Sequence, residues 1–320
     1  LGDQTARAAT SASCNVLIGS RAGKCVTEGN NNVFIGNYSG SSASAGTGNC
    51  NVSIGKQAGR CITSGSWNVS IGLCAGGGNG TATGNYNVTL GTDAGKNMTS
   101  GACNVAIGLG AGRGMTTPTG NVVIGRWAAY KCTVTGGQNF IVGSCAGCTI
   151  TSGYNNILLG ENAGRSGVLT GGDNTVIGSQ AGYAISSGKC NILIGRDNGQ
   201  NITTGERNIS IGKDVDPPAA DSDDTLQIGC GTSRWISGDS SFNIVTNTIT
   251  PSSNNSKDLG STGTRWANIY TNDLQLSNKG KTNDVDGTWG DFTIQEGEND
   301  LFLINNRSGK KYKFNLTEVS

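Results

Sequence analysis

The sequence predicts an all-β protein whose main body is a parallel β-solenoid of about twelve coils of 17–19 residues, followed by a small C-terminal β-domain. Three observations predict it. One phrase, an Asn, an apolar residue, any residue, a second apolar residue and a Gly, recurs twelve times between residues 14 and 216. Within the phrase apolar residues alternate at period two, the pattern of a short strand with one buried face. The chain holds 53 glycines in 320 residues, more than twice the usual share of about 7%, as repeated corners require.

Residues 1–13 read as a polar lead-in, and residues 14–216 as the shaft. The phrase closes at Gly19, Gly36, Gly55, Gly72, Gly91, Gly108, Gly125, Gly143, Gly160, Gly178, Gly195 and Gly212. These positions are expected to turn a corner, with further corners at the Ala-Gly pair that follows and at Thr-Ser-Gly turns such as Thr99–Gly101. Copies two and seven vary the pair, as Ser39-Gly40 and Ala128-Ala129. Val16 and Ile18, Val52 and Ile54, and Val105 and Ile107 are expected to face the core. Stacked at roughly 4.8 Å per coil, they would bury a Val/Ile column along a rod about 55 Å long. The phrase opens at Asn15, Asn32, Asn51, Asn68, Asn87, Asn104, Asn121, Asn139, Asn156, Asn174, Asn191 and Asn208. Stacked amides there can bond from coil to coil as a structural ladder; the alternative is a row of ligand-binding amides.

The eleven cysteines follow the repeat instead of a disulfide framework. Cys14, Cys50, Cys103 and Cys190 each precede the repeat Asn, and Cys14 and Cys50 stand two coils apart, beyond the reach of a bridge. They are read as small buried fillers, and thiols fit assembly in a reducing compartment. Cys145-Ala-Gly-Cys148 has redox or metal spacing but occupies an Ala-Gly corner, and without His or a second pair no metal is expected.

Residues 217–250 read as an acidic, Pro-containing linker and a connecting strand. Pro217 and Pro218 are expected to stop the ladder. Asp214, Asp216, Asp221, Asp223 and Asp224 crowd this junction as a solvated linker, with a cation site as the alternative. Residues 251–320 read as a capping or tip domain. Trp266, Ile269 and Tyr270 are placed to cover an open coil end, and Leu301–Phe314 forms a hairpin turning at Asn305–Gly309.

The phrase Asn-Val-x-Ile-Gly-x-x-Ala resembles the head repeat of trimeric autotransporter adhesins. It is more similar still to arrays in fibre proteins of marine phages and algal viruses. Asp258-Leu-Gly-Ser to Arg265-Trp-Ala-Asn-Ile-Tyr270 resembles the segment that precedes the self-cleaving chaperone domain of phage tail fibres. Asp284–Gly297 and Leu301–Phe314 are similar to the C-terminal ends of cyanophage tail-fibre-like structural proteins. The resemblance implies a homotrimeric tail fibre on a virion, assembled in the host cytoplasm. Its implied partners are tail or baseplate proteins and a host surface glycan or protein receptor.

Composition narrows the alternatives. A net charge of +1 gives no general attraction to nucleic acid, and no apolar run is long enough to cross a bilayer. No cofactor is implied. A polysaccharide-degrading tailspike would need a base and an acid, yet the chain has no His, and Asp93, Glu161, Asp173 and Asp197 are scattered. No catalytic residue is therefore assigned. A bacterial trimeric adhesin is the other alternative. For surface binding the candidates are Lys24, Arg60, Lys96, Arg113 and Arg165, each five residues after a corner Gly, with Trp67 and Tyr86 in a second shared phase. For the cations an edge kept solvated against aggregation is the safer account, and for the aromatics packing on a neighbouring subunit serves equally well.

Overall fold

The computed structural model describes residues 2–42, 44–78, 81–131, 133–241, 243–246, 259, 262–263, 265–315 and 317. It is all-β, with no helix among the described residues, and divides into two compact units, Leu1–Ile249 and Thr250–Ser320. The first unit is the solenoid. Each repeat contributes one three-residue strand: β1 (Val16–Ile18), β2 (Val33–Ile35), β3 (Val52–Ile54), β4 (Val69–Ile71), β5 (Val88–Leu90), β6 (Val105–Ile107), β7 (Val122–Ile124), β8 (Phe140–Val142), β9 (Ile157–Leu159), β10 (Thr175–Ile177), β11 (Ile192–Ile194) and β12 (Ile209–Ile211). Every strand pairs in parallel and in register with the next, so Val105 lies beside Val122 and Ile107 beside Ile124. A strand this short holds no structure alone; the ladder exists because each coil covers the previous one.

The strands turn the opposite face inward from the one expected. In β2 to β12 the middle residue is the buried one: Phe34, Ser53, Ser70, Thr89, Ala106, Val123, Ile141, Leu158, Val176, Leu193 and Ser210 are all at most 2% exposed, while Leu17 of β1 is half-buried. Val16 and Ile18, by contrast, are 47% and 48% exposed. The opening Asn sets this parity. At period two the Asn and the middle residue share a face, and the Asn side chain is buried in the coil. Two more columns complete the interior, the Ala of the Ala-Gly corner (Ala58, Ala94, Ala111) and a larger residue near the third corner (Met115, Ile150, Leu169, Ile185).

The Asn ladder is continuous. The Asn104 backbone N–H and Nδ2 both donate to Asn87 Oδ1 at 3.0 Å, and Nδ2 also donates to the Pro118 carbonyl at 2.8 Å. The Asn121 N–H then donates to Asn104 Oδ1 at 3.0 Å. The run ends at Thr225, whose N–H and hydroxyl both donate to Asn208 Oδ1. Corner glycines stack directly on one another: at Gly108, with φ +127°, a Cβ would lie 2.8 Å from the Gly125 carbonyl oxygen. The Thr-Ser-Gly corner differs. Gly101 needs no positive φ but has no room for a side chain, since a Cβ would meet the Pro118 carbonyl oxygen at 2.7 Å.

Both ends of this unit depart from the expectation. Residues 2–13 are no loose lead-in: the Arg21 N–H donates to the Asp3 carbonyl (2.8 Å) and the Thr10 N–H to the Thr27 carbonyl (3.0 Å), so they stack as part of a further coil. The two prolines do not stop the ladder either. Pro217 is buried within the last coil, and β13 (Leu226–Cys230) pairs in parallel with β12. The parallel run ends in a reversal, with β14 (Ser233–Gly238) antiparallel to β13 and β15 (Ile244–Thr246) antiparallel to β14. Arg234 folds over this end, donating to Gln227 Oε1 (2.8 Å), to the Asp216 carbonyl (3.1 Å) and to the Gly231 carbonyl. The last parallel strand is thus covered from within its own unit. Residues 247–250 of the expected connecting strand lie outside the described residues.

The second unit holds an antiparallel meander of β16 (Asp273–Ser277), β17 (Asp291–Glu296), β18 (Leu301–Asn305) and β19 (Lys311–Lys313). Register puts Leu274, Ile294, Leu303 and Tyr312 in one row across it, and Gln275, Thr293, Ile304 and Lys311 on the other face. The sheet is therefore apolar on one side and mixed on the other.

Candidate interaction surface

Because the middle residue is taken by the core, the two flanking residues of every strand face out. Val33 and Ile35, Val88 and Leu90, Phe140 and Val142, and Ile192 and Ile194 are half-buried or exposed. From β1 to β12 every such position is apolar except Thr175, and none is charged. In-register pairing aligns them into two parallel rows. Over twelve strands the rows leave on the order of 1,000 Å² of apolar surface open, against roughly 300–600 Å² for the largest patch of an ordinary monomer.

The basic candidates stand on a different edge, beside the Ala-Gly corners. Lys96 pairs with Asp93 at 3.0 Å. The Arg60 guanidinium lies 6.0 Å from the Tyr38 ring centre, and that of Arg113 lies 5.1 Å from Tyr130. Lys24 and Arg165 occupy the same half-buried position of the turn. Sequence reasoning missed the aromatic partners, and Arg21, which covers Tyr38 from the coil before at 4.9 Å. Arg21 and Tyr38 share one repeat position, two residues after the corner Gly, so aligning the copies reveals the pair. Trp67 and Tyr86 are 55% and 59% exposed and stack on each other, ring centres 6.3 Å apart and planes within 9°. They precede the repeat Asn in successive copies, and they spend one ring face each on this contact.

The amides of the Asn column are buried and consumed by the ladder, which leaves no row of donors for a ligand. The acidic junction is likewise internally engaged. Arg207 donates from Nε and Nη2 to both oxygens of Asp224 (2.7 and 2.9 Å) and from Nη1 to Glu206 (2.9 Å). Lys213 holds Asp214 at 2.5 Å. These partners pull the Asp224 and Asp214 carboxyls below the usual range. Asp239 and Asp286 are pulled down too, chiefly by bonds from Asn243 and Thr288. No three potential metal ligands converge among the described residues. The cysteines also differ from the expectation of buried fillers: Cys14, Cys103, Cys190 and Cys230 are exposed, and of the described ones only Cys148 is buried. The residue before each Asn points outward because the Asn itself points in.

Comparison with family models, with curated proteins and with solved structures finds no match to the chain.

The carboxylates weighed for catalysis do not converge. Asp93 faces Lys96, Asp173 accepts from Asn155 Nδ2 (3.0 Å), and Asp197 accepts from Gln200 Nε2 (2.9 Å). A concavity of about 320 Å³ near the end of the stack is floored by Ile209, Leu226 and Ile244 and edged by Asp224 and Asp239. Both carboxyls there are held in the ionised form, and glycoside cleavage also needs one that stays protonated.

Proposed function

We propose that the chain is a structural fibre protein: a rod subunit that assembles with copies of itself through its strand face, projects from a virion and presents a host-contacting surface. The observation that supports this reading is the uncharged double row of Val and Ile along the whole stack. A face of that size is comparable to the roughly 800 Å² per partner of a standard interface, and a second copy offers the same length, spacing and chemistry. Three copies around one axis, as in the fibres the repeat resembles, would bury all three faces and leave the Arg, Tyr and Asp edges in solvent. The residue resemblances of the shaft and of the C-terminal segments support a viral fibre over a bacterial adhesin. Carboxylates scattered over separate coils favour a mechanical role over polysaccharide cleavage.

The test is the solution mass of the full chain in reductant. A particle near three times 32.6 kDa is expected, falling to one chain with β-sheet spectra retained when Ile107 and Ile124 are both replaced by Lys. A monomeric wild-type chain would overturn self-assembly. Immunogold labelling of intact particles with antibody to the chain tests the location; label absent from projecting fibres would overturn it.

A further inference from the structure

One corner carries chemistry that the fibre reading does not use. In several copies the second and fifth residues after the closing Gly stand at the two ends of the turn that follows, and in three of them their side chains interact. Asp93 and Lys96 pair at 3.0 Å, Asp197 and Gln200 bond at 2.9 Å, and the rings of Trp127 and Tyr130 are centred 6.1 Å apart. The turn is tight: the Lys96 N–H donates to the Asp93 carbonyl (3.3 Å) and the Lys24 N–H to the Arg21 carbonyl (3.2 Å). In the copy closed by Gly143 these two positions are Cys145 and Cys148, joined by Ala146 and Gly147, the latter with φ +53°. A β-turn keeps its end Cα atoms within about 7 Å, the range a disulfide spans.

The two thiols differ in access. Cys148 is 3% exposed, whereas Cys145 is half-buried. Burial and then the nearby Cys145 push the Cys148 thiol up, while Lys131, the Tyr130 backbone and Arg165 draw it back. The other pairs that sequence spacing suggests are poorly placed, since Cys14 and Cys50 stand two coils apart along one column, about 9.6 Å.

We propose that Cys145 and Cys148 form a thiol–disulfide exchange site that takes a low-molecular-weight disulfide as oxidant and closes to an intrachain disulfide across the Ala146-Gly147 turn. The Cys145 thiolate attacks one sulfur of the reagent, forming a mixed disulfide and releasing one thiol. Cys148 then loses its proton and attacks the Cys145 sulfur, forming the internal S–S bond and releasing the second thiol. Two protein thiols are oxidised by two electrons, and the reagent disulfide is reduced to two thiols. The closed ring spans only two intervening residues, so the bridge constrains the unfolded chain weakly and its signature is chemical.

The experiment uses the full chain, reduced, exposed to oxidised glutathione, alkylated and digested with trypsin. The peptide 132–165 contains Cys132, Cys145 and Cys148, so variants assign the bond. In wild type one alkylated cysteine and a two-dalton deficit are expected, and Cys132→Ser should keep the deficit. In Cys148→Ser and Cys148→Ala glutathione should stay on Cys145, accumulating about ten-fold or more over wild type because nothing resolves it. In Cys145→Ser the deficit should vanish and Cys148 should carry no glutathione. Three alkylated cysteines in oxidised wild type would overturn the proposal, as would a deficit that disappears in Cys132→Ser. The chemistry is read on one chain, so neither result depends on the oligomeric state.

Discussion

Replacing Gly108 with Val tests the assignment of the closing glycines to a strained corner. Gly108 has φ +127°, a region that residues with a Cβ avoid at a cost of about 1–3 kcal/mol. The new Cβ would also lie 2.8 Å from the Gly125 carbonyl oxygen and 2.9 Å from its carbon. Those are backbone atoms, tied in because the Gly125 N–H donates to the Ile107 carbonyl at 2.8 Å. Relief therefore means prising two coils apart, an overpacking cost of about another 1–3 kcal/mol. Together the substitution should cost about 2–6 kcal/mol, a large part of an ordinary domain's stability. Lys96→Ser is the control, since it removes only a surface pair with Asp93, within about 1 kcal/mol. Urea titration followed by far-ultraviolet circular dichroism reads both. Coincident midpoints for the two variants would refute the corner assignment.

Two further predictions follow from polar groups. Ser53 is fully buried and its hydroxyl has no hydrogen-bond partner among the described residues, so Ser53→Ala should raise the unfolding free energy by about 1 kcal/mol at unchanged denaturant slope; a lower midpoint would show that the hydroxyl is satisfied. Arg207 lowers the folded-state pKa of Asp224, so their bond should contribute stability above the ordinary carboxyl value of 3.8 and lose it as pH falls through the lowered folded value. Asp224→Asn should therefore be less stable than wild type at neutral pH and converge with it once the pH has fallen below the lowered folded value; a gap that persists in acid would contradict the assignment.

The repeat array was legible because its information is local. A fixed period, a Gly wherever backbone meets backbone and an Asn at every strand start prescribe identical coils, and identical coils pair in register. The hairpin of β18 and β19 was legible for the same reason, from alternation on either side of Asn305–Gly309. The binding candidates were less legible. Lys96, Arg60 and Arg113 share a phase in the sequence, but the ring partners Tyr38 and Tyr130 of the two arginines emerge only when coils are stacked, whereas Asp93 meets Lys96 within one turn.

What the sequence by itself determined is the coil, its repetition and the direction of the ladder. Which way each strand faces was decided by the tertiary structure. Alternation at period two is symmetric: Val-x-Ile describes a strand with its aliphatic pair inside or outside equally well. The closed coil breaks that symmetry, because its narrow interior takes the Asn amide, where the stacked bonds satisfy it, and with it the middle residue. The aliphatic pair is then left on the surface, and so are Cys14, Cys103 and Cys190, which directly precede a repeat Asn. The closure of the stack by Arg234 was decided in the same way, since its acceptors on Asp216, Gln227 and Gly231 meet only after the last coil has folded.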